Sequence, residues 1–194
     1  MIAILKYPAG NIRSVINALG RIGVEPVLTD DPELLRQASH VIIPGQGSAA
    51  TTMLYLKEHG LDTLILSLRQ PVLGICIGMQ LMCRHSDEGD VDCLGIFDDA
   101  QVTRFNAEGI KIPHMGWNTI CHDQSALFAG IRNEQHVYFV HSFRVTGSRY
   151  ATALTNYGGD FVSALQKDNF YATQFHPEKS GDVGEQIIRN FINI

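Results

Sequence analysis

The stretch Pro71-Val72-Leu73-Gly74-Ile75-Cys76-Ile77-Gly78-Met79-Gln80 decides how the chain is read. Val72 to Ile75 is continuously apolar, the character of a strand buried on both faces, whereas Met79-Gln80-Leu81-Met82 is good helix-forming sequence. A cysteine therefore stands at a strand-to-helix junction. Glycines two before and two after it supply small volume and tolerance of unusual φ/ψ, as a sharp turn with an exposed central side chain requires. A cysteine in an apolar run is more often a packing residue than a nucleophile, so the motif gains force only if a base and an orienting acid occur elsewhere.

Both occur near the C-terminus. Asn169 to Phe175 reads as a strand that runs directly into His176-Pro177-Glu178-Lys179-Ser180. Pro177 fixes one φ angle and disfavours helix at the residue before it, so His176 and Glu178 leave the strand end on a rigid connector with a carboxylate two residues from the imidazole. A third strand, His40 to Ile43, ends in Pro44-Gly45-Gln46-Gly47. Such a glycine loop is by itself a simple turn, and a lone His-Pro pair a solvated one. In an open α/β sheet, however, ligands gather outside the carboxyl ends of the strands, and all three segments are predicted there. The expected constellation is Cys76 as nucleophile, His176 as base and Glu178 as the acid that orients it, with backbone N–H groups of Ile77 and the glycine loop available to a developing oxyanion.

Outward from this centre the chain alternates strand and helix patterns, with no internal repeat and no low-complexity linker. Ile2 to Lys6 is the first strand, Asn11 a candidate N-cap for a helix through Ile12, Val15, Ile16 and Leu19, and Val24 to Leu28 the second strand. Asp31-Pro32 opens a short helix; Ala50 to Glu58 and Leu61 to Leu68 are two more. From about Gly95 shorter strands follow at Gln101 to Phe105, Ile110 to Ile112, Trp117 to Ile120, Val137 to Val140, Ala151 to Thr155 and Phe161 to Leu165, and Ser180 to Ile194 closes as an amphipathic helix. The expectation is one α/β domain over 1–194: an open, mostly parallel but mixed sheet with helices on both faces.

The 194 residues, 45% hydrophobic and 18% charged, suffice for one core. A net charge of -5 offers no footprint for nucleic acid, and no apolar run is long enough to span a bilayer. Cys76, Cys83, Cys93 and Cys121 lack metal-ligand spacing and suit a reducing, cytoplasmic setting.

Gly74 to Gln80 together with His176-Pro177-Glu178 resembles the catalytic triad of class I glutamine amidotransferases. Within that family, Pro44 to Ser48, Pro113 to Asn118 and Val137 to Phe143 resemble the glutaminase subunits that serve a separate cyclase in histidine biosynthesis. The resemblance implies hydrolysis of L-glutamine through a Cys76 thioester without metal or organic cofactor. It implies an oxyanion hole at Ile77, Gln46 and Gly47, and substrate contacts at Gln80, Tyr138, His141, Ser142 and Phe143. It also implies a heterodimer with a cyclase of (β/α)₈-barrel type, with Asn11, His114, Met115, Trp117 and Asn118 near the interface. A glutaminase of another synthase, or a non-hydrolysing glutamine-sensing subunit, remains open at this point.

Overall fold

The computed structural model describes residues 1–8, 12–45 and 47–194, so Asn11 and Gln46 lie outside the described residues. Five parallel strands carry the first half: β1 (Ile2–Leu5), β2 (Val27–Thr29), β3 (His40–Ile43), β4 (Val72–Ile75) and, from far along the chain, β13 (Phe170–Thr173), in the order β2-β1-β3-β4-β13. Alternate residues of these strands face two cores. Ala3, Leu5, Val41, Ile43 and Val72 pack under the helices α2 (Pro32–Gln37), α3 (Ala49–Glu58) and α4 (Leu61–Ser67). Ile2, Ile4, Ile42, Leu73 and Ile75 pack under α1 (Ile12–Arg21) and α6 (Gly181–Ile192). Burial on both faces is why these strands read as unbroken apolar runs.

Local chemistry sets several boundaries. The Asp31 carboxylate accepts from the N–H groups of Glu33 and Leu34 at 2.8 and 3.1 Å and so caps α2, with Pro32 in the first turn. The second strand begins three residues later than expected, after Pro26, which has no N–H to give the ladder.

The other half of the sheet is largely antiparallel. It comprises β5 (Cys83–Ser86), β6 (Val91–Asp92), β7 (Phe97–Arg104), β8 (His114–His122), β9 (Gln135–His141), β10 (Phe143–Val145), β11 (Ala151–Asn156) and β12 (Asp160–Lys167). It joins the parallel half through β12 beside β13. Sequence patterning does not announce β5, β6 or β10, which are short and borrow their stability from neighbours. Conversely Ile110 to Ile112, expected as a strand, is irregular: Pro113 lacks an N–H, and the Lys111 carbonyl accepts from the Tyr157 hydroxyl at 2.8 Å instead of from a ladder partner. No helix among the described residues is long and apolar enough to cross a membrane.

Candidate active site

Three strand ends of the parallel half meet at one cleft of about 470 Å³. At the end of β4, Cys76 has φ 51° and ψ -105°, a conformation rare for a residue with a side chain. Its N–H donates to the Thr173 carbonyl at 2.7 Å and its carbonyl accepts from the Gln80 N–H at 3.2 Å, so the neighbouring strand and the start of α5 (Ile77–Met82) hold the turn from both sides. The flanking glycines serve a different purpose from the one the motif suggests, since the left-handed residue is the cysteine itself. A Cβ on Gly74 would lie 2.7 Å from Gly78 backbone, one on Gly78 2.4 Å from the Ile43 carbonyl oxygen, and one on Gly45 2.3 Å from the Ile75 carbonyl oxygen. They are there because backbone packs on backbone.

At the end of β13, His176 opens a single 3₁₀ turn, Pro177–Lys179. Its N–H donates to the Tyr138 carbonyl at 2.9 Å, while the Ser180 hydroxyl donates to the His176 carbonyl at 2.6 Å and accepts from the Tyr138 N–H at 2.9 Å. The connector is thus riveted to β9. The imidazole Nδ1 donates to Glu178 Oε1 at 2.7 Å, with both side chains almost fully buried. Burial alone lowers the His176 pKa, but the adjacent Cys76 sulfur and the Glu178 carboxylate outweigh it and raise it to about 10. The Nε2 atom is buried and has no hydrogen-bond partner among the described residues. A thiol, an imidazole and a carboxylate therefore stand in series, the arrangement that activates a sulfur nucleophile for acyl transfer and can return a proton to a leaving group.

The cleft wall also contains Gly47, Ile77, Gln80, His141, Ser142 and Phe143. Tyr138 is outside it; its backbone steadies His176 and its ring meets Trp117 edge-on at 6.0 Å. Of the residues expected at a partner interface, Met115 and Trp117 are 63% and 56% exposed. Asn118 is half-buried. His114 is 3% exposed, because side chains alternate along β8 and His114 falls on the inner face.

Two residues of the site escaped the sequence reading. Glu88 lines the cleft and accepts from the N–H of Ala49, which fixes the start of α3 just after the glycine loop. Gln174, fully buried, donates from Nε2 to the Cys76 sulfur at 3.6 Å. Asp87-Glu88-Gly89 reads as a surface turn; Gln174 offered one signal, a second polar residue after Thr173 at the end of a strand that reads as buried.

The constellation has the groups that acyl transfer by a cysteine would need, and the chain belongs to the class-I glutamine amidotransferase family, which it matches over residues 6–194. It is 60% identical over 195 residues to the imidazole glycerol phosphate synthase subunit HisH of Bacteroides fragilis (strain YCH46), an alignment covering 100% of this chain and 99% of that protein. Identity to the protein of the same name from Escherichia coli (strain K12) is 42%, covering 100% and 99%. Among solved structures, PurLQS from Thermotoga maritima shares the fold with a TM-score of 0.75 at 16% identity, covering 99% of this chain and 97% of that one.

Proposed function

We propose that this chain, as one catalytic domain over 1–194, is the glutaminase subunit of an imidazole glycerol phosphate synthase and works in the cytoplasm. The observation that carries the reading is the buried 2.7 Å Nδ1 to Oε1 bond of His176 and Glu178 beside a cysteine held in a strained turn. The Cys76 thiolate attacks the side-chain amide carbon of L-glutamine. His176 gives its Nε2 proton to the departing ammonia, and Glu178 holds the ring and offsets its positive charge. The resulting glutamyl thioester is hydrolysed by a water whose proton His176 takes, releasing glutamate and restoring the thiolate. Ile77 is the first residue of α5, so its N–H has no acceptor within the helix and suits the oxyanion, together with the backbone of Gly47, which lines the cleft.

Substrate selection follows from charge. Glutamine brings an ammonium and a carboxylate; Glu88 is the acidic side chain in the cleft wall that can take the ammonium, while Gln80 and the His141-Ser142-Phe143 segment bound the far side. At neutral pH free ammonia is mostly ammonium and a poor nucleophile, so the product is useful only if passed directly to a second enzyme. The exposed Met115 and Trp117 on β8 provide an apolar face for it, and the relatives' shared name, a subunit of imidazole glycerol phosphate synthase, supports a second subunit as partner, for which the sequence resemblance implies a cyclase of (β/α)₈-barrel type.

The test is glutamate release from glutamine by the purified chain, alone and mixed with the cyclase partner and its ribonucleotide ligand. Low activity alone that rises strongly in the complex is expected. Equal activity in both conditions overturns the partner assignment, and none in either, with Cys76 shown to be reduced, overturns the glutaminase reading.

A further inference from the structure

Buried hydrogen bonds connect β8 to the nucleophile, and their direction is fixed by chemistry. The Phe143 carbonyl can only accept, so His141 Nδ1, 2.7 Å away, carries the proton of that ring. His141 Nε2 is then the acceptor for His114 Nδ1 at 3.0 Å, and His114 Nε2 accepts in turn from the Asn118 amide at 3.3 Å. The same amide donates to the Asn156 carbonyl at 2.9 Å. This requires both rings neutral, and burial holds them so: His114 is lowered to about 4 and His141 to about 3. On the other side of the Phe143 carbonyl, Gln80 Nε2 donates to it at 3.4 Å and to Gln174 Oε1 at 3.0 Å. Gln174 then has its Nε2 free to face the Cys76 sulfur at 3.6 Å.

We propose that Gln174 is a positioning residue for the nucleophile, donating to the Cys76 sulfur and favouring its thiolate, and that it is the last link of a chain from Asn118 through His114, His141, Phe143 and Gln80. The inference rests on the nucleophile reading given above. Each amide in the chain has its orientation set by the previous partner: Gln80 has both hydrogens committed, so Gln174 must present its oxygen to Gln80 and its nitrogen to sulfur. The chain begins on the strand whose outer face carries Met115 and Trp117. A displacement of β8 therefore reaches the sulfur through side chains and the Phe143 carbonyl, without any movement of the backbone elbow.

The experiment is the pH dependence of iodoacetamide alkylation at Cys76 in the full chain, read by mass spectrometry of the Cys76 peptide. Gln174→Met removes donor and acceptor at similar volume; Gln174→Glu keeps an acceptor for Gln80 but has no amide hydrogen. The titratable groups around the sulfur, His176 with Glu178, His141 and, across the cleft, Glu88, are unchanged in Gln174→Met, whereas Gln174→Glu adds a carboxylate whose charge alone raises the midpoint, so the size of the shift is read from Gln174→Met. Loss of a hydrogen bond to a charged acceptor is expected to move the alkylation midpoint up by about one pH unit. His114→Phe, which leaves every contact of Cys76 intact, is expected to move it the same way by a few tenths of a unit, and the His114→Phe/Gln174→Met pair to be non-additive. An unchanged midpoint in whichever Gln174 variant retains the wild-type thermal midpoint overturns the positioning role. Full additivity, or no shift with His114→Phe, overturns the chain. Wild-type Cys76 alkylated no faster than the exposed Cys121 would overturn the nucleophile reading itself, and this inference with it.

Discussion

The parallel and antiparallel halves of the sheet hold their polar groups by opposite means. In the parallel half the main chain does it: Cys76 is fixed by backbone bonds to Thr173 and Gln80 and by glycines whose neighbours leave no space for a methyl group. In the antiparallel half β8 and β9 pair in a regular ladder, and side chains do the fixing, through the His114, His141 and Asn118 contacts inside a ring of Phe105, Phe139, Tyr157 and Phe161. The difference teaches where each half is vulnerable. The elbow fails by added volume, the network by a lost partner or an added proton.

The sharpest break is at Cys76, the proposed nucleophile. Cys76→Ala is expected to lower glutamine-dependent synthesis by the partner complex on the order of 10⁴-fold or more, while synthesis from added ammonium salts persists. Equal loss of both activities would show that the cysteine serves the fold and not the chemistry.

Next is the backbone contact behind it. Gly78→Ala forces a Cβ to 2.4 Å from the Ile43 carbonyl oxygen, and a destabilisation of about 3 kcal/mol is expected, a fall of roughly 10 °C in the thermal midpoint for a chain of this size. A fall of less than a degree or two would mean that the elbow can open without cost.

Proton linkage separates the halves directly. His176 is raised to about 10, so it binds its proton more tightly folded than unfolded; its contribution is complete below about 6.5 and is lost as pH rises through about 10. His114 is lowered to about 4, so the unfolded chain takes up a proton that the folded one refuses, and on the order of 3 kcal/mol is lost as pH falls from about 6.5 toward 4. His141, lowered to about 3, acts in the same direction. Thermal midpoints measured across pH should decline on both flanks, with Cys76→Ala flattening only the alkaline flank and His114→Phe only the acid one. If either substitution flattens both, the halves are not independent.

The smallest effect lies away from both. Gly20, near the end of α1, has no atom within 4 Å of where a Cβ would stand and no positive φ, so Gly20→Ala should stabilise by about 0.5–1 kcal/mol and leave activity unchanged. Denaturant melts of the variant and the parent check this.

The two triad segments were legible because each is contiguous: strand, glycine, cysteine, glycine and helix in one run, and strand, histidine, proline and glutamate in another. Strands β1, β3 and β4 were legible because double burial writes an unbroken apolar run. The antiparallel strands were found in part and misplaced at Ile110 to Ile112, where a side chain took the carbonyl that a ladder would have used.

The sequence by itself thus determined the fold class and singled out the segments around Cys76 and His176-Pro177-Glu178, with the strand ends on which they stand, since these depend on patterns within a few residues. Tertiary structure alone decided that Glu88 closes onto Ala49 39 positions away, that His114 turns inward to His141 27 positions on, and that Gln174 meets Cys76 across 98 residues. Those pairings depend on which elements lie side by side and in what register, and a hydrogen bond between distant segments leaves no periodicity in either of them.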